Sequence, residues 1–131
     1  MPTFDWKEYL DFAKTCGTIS AVSSHCLDRV AASRVYYGFF GRARRYLIDH
    51  LHDPNFKTDG SEGFILKTNV HSYIPDAFRK EINPVAQEFA DWLSDLRVWR
   101  NTADYDSRNG QVDASKFWAA AHKAEELLSK L

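Results

Sequence analysis

At 131 residues the chain is about one domain's worth, and it is long enough to bury a core without metal or disulfide staples. The 17 Lys and Arg nearly balance the 18 Asp and Glu, which excludes a general polyelectrolyte attraction to nucleic acid or an anionic membrane, so any anion site must be local. Aromatic residues at 15% and only four prolines exclude a disordered, poorly apolar tail.

The first predicted helix has Thr3 as its N-cap, Trp6, Leu10 and Ala13 on one face, and Gly17 as its stop. The second and longest starts near Thr18 or Ser20 and ends before Asp53-Pro54. Val22, Cys26, Val30, Ser33, Tyr37, Phe40, Ala43, Leu47 and Leu51 follow at steps of three or four and predict its buried stripe. Arg29 and Arg44 fall inside that stripe and must snorkel or find acidic partners. Gly38 and Gly41 cost about 1 kcal/mol each in helix propensity, which suggests a closely approaching neighbour.

Residues 53–63, DPNFKTDGSEG, read as a loop. A helical stretch is expected from Ile65 to Tyr73, interrupted at Pro75, with another turn or two from Asp76 to Ile82. Pro84 suits a first helical position, and Val85, Phe89, Trp92, Leu96, Trp99 and Ala103 then advance by fours and threes. Ser107-Arg108-Asn109-Gly110 is a turn, and Asp113 caps a last helix with Phe117, Ala121, Ala124, Leu128 and Leu131 on one face. No segment alternates as a strand would. The expectation is an all-α bundle of four to five helices, mostly antiparallel, forming one domain over residues 1–131.

Cys16 and Cys26 come without a ligand spacing and are expected to be reduced core thiols. Asp49-His50-Leu51-His52-Asp53 is metal-like in composition only, because residues two apart do not face each other on a helix, so neither metal nor cofactor is expected. The start MPTFDW has no basic segment leading into an apolar run, and no apolar stretch reaches the roughly 20 residues that cross a bilayer. A cytoplasmic location without membrane contact is expected.

With Trp92 at the centre of its helix face, Arg100 falls on the shoulder of the apolar stripe, Arg97 and Asp104 lie on the same edge, and Asn101 faces the opposite side. Arg100 and Asp104 are spaced for a structural i,i+4 pair. Arg34, Arg42, Arg44 and Arg45 make the conspicuous basic cluster, which could track a phosphate backbone or meet acidic partners.

Two stretches carry a resemblance. Ser33-Arg34-Val35-Tyr36-Tyr37-Gly38-Phe39-Phe40 is similar to the small-Arg-x-Tyr-Tyr-x-x-Phe signature of the HEPN superfamily. Leu96-Arg97-Val98-Trp99-Arg100-Asn101-Thr102-Ala103-Asp104-Tyr105 resembles the Leu-x-x-x-Arg-x-x-Ala-Asp-Tyr element of a small, stand-alone prokaryotic branch. The resemblance covers most of residues 18–131. It implies a helical bundle that pairs two-fold, bringing two arginine helices to one groove. It also implies a role in prokaryotic defence or a toxin-antitoxin system.

Many HEPN proteins are metal-independent endoribonucleases with an Arg, a polar residue and, after four to six intervening residues, a His. The arginine holds the phosphate and its developing charge; the imidazole moves protons. Arg100 and Asn101 match the first two positions, whereas the third is offered only Tyr105, Asp106 or Ser107. The candidate catalytic set is therefore Arg100, Asn101 and Tyr105, with Arg97, Arg100, Arg34, Arg42 and Arg45 as RNA or anion binders. The expected function is an RNA-directed homodimer with weak or lost endoribonuclease activity. The alternative is a non-catalytic interaction module for a protein such as a nucleotidyltransferase, and a third reading has His71, His122 or Tyr105 replacing the missing imidazole.

Overall fold

The computed structural model describes residues 5–18, 24–57, 59–105 and 112–131. Five α-helices follow in order: α1 (Lys7–Thr15), α2 (Ser24–Asp49), α3 (Val70–Arg79), α4 (Pro84–Tyr105) and α5 (Ala114–Leu128), with a 3-10 turn, Cys16–Thr18, after α1. The described residues contain no strand, only an isolated antiparallel bridge between Phe56 and Phe64. The all-α class expected from the periodicity is what the chain adopts. None of the described helices is long and apolar enough to cross a membrane.

Side-chain pairings set the helix directions. Ser33 and Tyr37 meet Asp104 and Arg100, and Tyr46 meets Phe78, which meets Phe89, so α2 and α4 run antiparallel. Arg97 reaches Ser72 while Arg79 reaches Asp91, which makes α3 antiparallel to α4. Helix α1 runs antiparallel to α2, because the added Cβ at Gly41 would meet Trp6 and that at Gly38 would meet Leu10. The expected close approach at these glycines is thus supplied by α1.

The core draws on every helix, with Val35, Tyr36, Phe39, Phe78, Phe89, Leu93, Leu96 and Phe117 almost fully enclosed. On α2 the buried stripe runs through Ala32, Val35, Tyr36, Phe39, Phe40, Ala43 and Leu47; Phe40, Ala43 and Leu47 lie where the spacing put them, whereas the earlier part is rotated from the stripe anticipated through Cys26, Val30 and Tyr37. Val30 is exposed and Tyr37 only half-buried. Cys26 is exposed as well, correcting its expected core position, while Cys16 is buried. The alanines at 31, 32 and 43 explain the rotation: small residues let neighbouring helices approach, and the large side chains one position away then fill the space.

Several helix ends follow local chemistry. Asn69 and Asp113 accept backbone N–H groups of His71 and Lys116 as N-caps, and Asn83 accepts from Val85 ahead of the Pro84 start. Helix α2 stops at Asp49, earlier than expected. His52 takes a left-handed φ of 51°, and the N–H of Asp53 turns back to the Leu47 carbonyl at 2.9 Å, which occupies one of the carbonyls that the helix end leaves without a partner.

The middle of the chain differs from its sequence-based reading. Residues 65–69 are not helical, and α3 runs through Pro75 without interruption. A proline inside a helix costs about 3 kcal/mol. Burial of Ile74, Pro75 and Phe78, at roughly 1.5–3 kcal/mol for each large apolar side chain, offsets it. The cap expected at Thr3 and the turn expected at 107–110 lie outside the described residues; of the two starts anticipated for α2, Ser20 does as well, whereas Thr18 ends the 3-10 turn after α1.

Candidate functional site: an arginine enclosed by tyrosines

Helix α4 buries Ala86, Phe89, Leu93, Leu96 and Ala103, a seam of alternating threes and fours in which position 100 takes the next place after 96. Trp92 and Trp99 are only partly buried beside this seam. The centre of the face is therefore Leu93 rather than Trp92, and Arg100 lies in the seam instead of on its shoulder, its side chain only 11% exposed.

An arginine in that place must use its donors inside the chain. Nη2 donates to the Tyr37 hydroxyl and, at 3.4 Å, to that of Tyr105, while Nη1 donates to Asn101 Oδ1 at 2.9 Å. Nε lies 3.0 Å from Asp104 Oδ2, but its N–H has no acceptor in hydrogen-bonding geometry; the contact is an ion pair without a hydrogen bond. The guanidinium also lies 5.0, 5.2 and 5.8 Å from the ring centres of Tyr37, Tyr105 and Tyr36, an arrangement that holds a cation through the ring quadrupoles. Asp104 in turn accepts from Ser33.

Asn101 is exposed, yet Arg100 reaches it, since neighbours about 100° apart on a helix are within the span of a long side chain. Helix α4 continues to Tyr105, so the structure brings Arg97, Arg100, Asn101, Asp104 and Tyr105 together on its last two turns.

Helix α3 adds a histidine. His71 stacks on Phe40 with ring centres 4.6 Å apart, and its Nδ1 is 2.6 Å from the Tyr36 hydroxyl. Burial pushes the Tyr36 phenol up against the pull of Arg97 and Arg100, so it stays protonated and shares a hydrogen bond with Nδ1, which leaves Nε2 as the ring nitrogen outside that bond. Burial first, and then the charges of Arg100, Arg97 and Arg44, holds His71 below the ordinary imidazole range. Neutral His71 beside guanidinium groups is a candidate proton acceptor. His122 lies instead exposed on α5, along a groove with Lys7, Lys14 and Trp118.

Acidification therefore works against the fold at His71. Its folded-state pKa is lowered, so the unfolded chain binds the proton more readily, and stability falls as pH drops below the unfolded imidazole value of about 6.5. Urea unfolding at pH 7.5 and 5.5 is expected to show a smaller acid-induced loss for His71→Gln than for wild type. Equal losses would remove His71 as the source.

Arg97 is only partly buried and donates to Ser72 Oγ at 3.3 Å; among the described residues it forms no ion pair. The remaining candidate cations do not join it. Arg34 is exposed over the Tyr9 ring, Arg42 pairs with Glu125, and Arg45 pairs with Glu62 and Asp49. Arg44, expected to need an acidic partner, has Glu62 at 3.0 Å.

The acidic and histidine residues at 49–53 engage different partners, Asp49 with Arg45, His50 with the Tyr46 ring and Asp53 with the Tyr73 hydroxyl. Among the described residues no group of three or more His, Cys, Asp and Glu converges to hold a metal. Sequence reading did not anticipate Tyr37 as a partner of Arg100 or Glu62 as a partner of two arginines. The three-four seam through 89, 93, 96 and 100 was the signal for the first, and a lone loop carboxylate gives none for the second. Compared with known proteins, the chain matches no family model, no curated protein and no solved structure.

Proposed function

We propose that the chain is an RNA-directed, HEPN-like protein that works as a dimer in a prokaryotic defence or toxin-antitoxin type of system, with weak or absent endoribonuclease activity. Arg97 meets the phosphate, and Arg100 is the inner cation that sets the local field. The observation supporting this reading is the neutral His71 delivered by α3 to the Arg97 and Arg100 cluster, an imidazole at the place where the arginine motif itself has none. Its Nδ1 is engaged by Tyr36, leaving one ring nitrogen for proton transfer, and the donors of Arg100 are used within the chain. Both features favour binding over efficient cleavage.

The experiment is a titration with single-stranded RNA at several salt concentrations. Arg97→Ala is expected to weaken binding roughly five- to tenfold and to flatten the dependence of log K on log salt by about 0.7, the change for one lost contact to a single strand. His71→Gln should leave binding intact and abolish any 2′,3′-cyclic phosphate product. RNA affinity unchanged by Arg97→Ala in a folded protein would end the proposal.

A second reading is supported by the enclosure of Arg100 among Tyr37, Tyr105 and Asp104: a non-catalytic interaction module, in which this cluster is polar core and the partner is a protein such as a nucleotidyltransferase. Purification from the native host separates the two readings. Co-eluting RNA favours the first, and a stoichiometric protein without nucleic acid favours the second.

A further inference from the structure

On the loop between α2 and α3, Glu62 is the buried charged residue of the molecule's described part, 6% exposed. Its two carboxylate oxygens accept from Arg44 Nε and Arg45 Nη1, each at 3.0 Å. The backbone there takes a left-handed φ of 58°, a conformation that a residue with a Cβ adopts only under outside constraint. Short local bonds shape the approach: Lys57 N–H donates to the Gly63 carbonyl at 2.7 Å and Ser61 N–H to Asp59 at 3.0 Å.

The arginines do not depend on this carboxylate for their positions. The Arg44 guanidinium lies 5.3 Å from the ring centres of both Trp6 and Phe40, so two aromatic faces orient it. Arg45 is held by both oxygens of Asp49 at 2.8 Å. Were Glu62 to withdraw, Arg45 would keep an acidic partner and Arg44 would keep none. A groove of about 390 Å³, lined by Arg42, Arg45, Tyr46, Asp49 and Asp5 among others, opens beside Arg45.

We propose that Arg44 and Arg45 form a binding site for a phosphoryl oxyanion and that the chain fills it with its own Glu62. The carboxylate presents two oxygens to two guanidinium groups, the same charge and donor geometry that a phosphate would satisfy. Self-occupancy lowers the apparent affinity for an outside anion, because the competent state is only fractionally populated. The site is distinct from the Arg97 contact and does not rest on RNA binding there.

The test compares wild type, Glu62→Gln and Glu62→Gln with Arg44→Gln, using melting temperature in inorganic phosphate against chloride at matched ionic strength. Glu62→Gln should melt lower in chloride, recover part of the loss in phosphate and bind phosphate at least about tenfold more tightly than wild type. The double variant should not respond. Equal phosphate affinity in wild type and Glu62→Gln, or a response that persists without Arg44, overturns the proposal.

If Glu62→Gln does not fold, the wild-type protein carries the test. Rising tripolyphosphate should make the 59–63 segment more susceptible to proteolysis, and unchanged cleavage overturns the site. A short oligouridylate assigns the source: displacement of bound oligomer by phosphate indicates a strand backbone, and phosphate binding without oligomer binding indicates a free phosphoryl ligand.

Discussion

Gly41→Ala is expected to destabilise the protein by about 2–3 kcal/mol, a net figure after the roughly 1 kcal/mol that alanine gains over glycine in helix propensity. The added Cβ would lie 2.0 Å from Trp6 Cδ2 and 2.3 Å from its Cγ, inside the ring itself, so α1 must move away from α2. At Gly38 the same change meets Leu10 Cδ2 and Cγ, both at 3.0 Å, and the Trp6 carbonyl at 3.3 Å. The Leu10 side chain can shift by a few tenths of an ångström as a unit, and the propensity gain then offsets part of the crowding. Gly38→Ala should therefore stay within about 1 kcal/mol of wild type. Chemical denaturation of the two variants checks the contrast; similar losses at both positions would contradict the α1 packing described above.

Arg100→Ala is expected to cost about 2–3 kcal/mol, which corresponds to a fall in Tm of roughly 10 °C for a chain of this size. The change removes an enclosed side chain, leaves the Tyr37 hydroxyl without its guanidinium donor and strands Asp104. Asp104 is 31% exposed, so water reaches the orphaned carboxylate, which keeps the loss below that of a fully buried broken pair. Arg100→Met separates packing from charge. Methionine refills much of the space among the tyrosine rings and should recover about half of the lost stability. Equal losses for Ala and Met would assign the whole effect to charge, and a negligible loss for Ala would show that the tyrosine enclosure contributes little.

The sequence-based picture of α4 failed by one residue, and the consequence was large. Centring the face on Trp92 put Arg100 on an accessible shoulder; centring it on Leu93 puts Arg100 in the seam between Leu96 and Ala103. Tryptophan is the largest apolar side chain, yet its indole N–H and its width keep it at the margin of a core more often than at the centre. The same rotation on α2 moved Cys26 and Val30 to the surface and Tyr36 to the interior. Small residues at 31, 32, 86 and 90 decide both cases, because helices pack closest where alanines meet. Hydropathy ranks those positions below their bulky neighbours.

The all-α class and the order of the long helices were legible in the chain itself, because they depend on local terms: three-four periodicity, Asp113 at a helix start and Pro84 at a first position. So was the pairing distance of Arg100 and Asp104, four residues apart on one helix. Only the tertiary structure decided the rest. Pro75 stays within α3 because the burial around it outweighs the lost hydrogen bond. His71 meets Tyr36 across 35 positions of sequence, and Glu62 meets Arg44 across 18, because a separate helix and a loop fold back on α2. Such meetings are fixed by long-range packing, which no local spacing encodes.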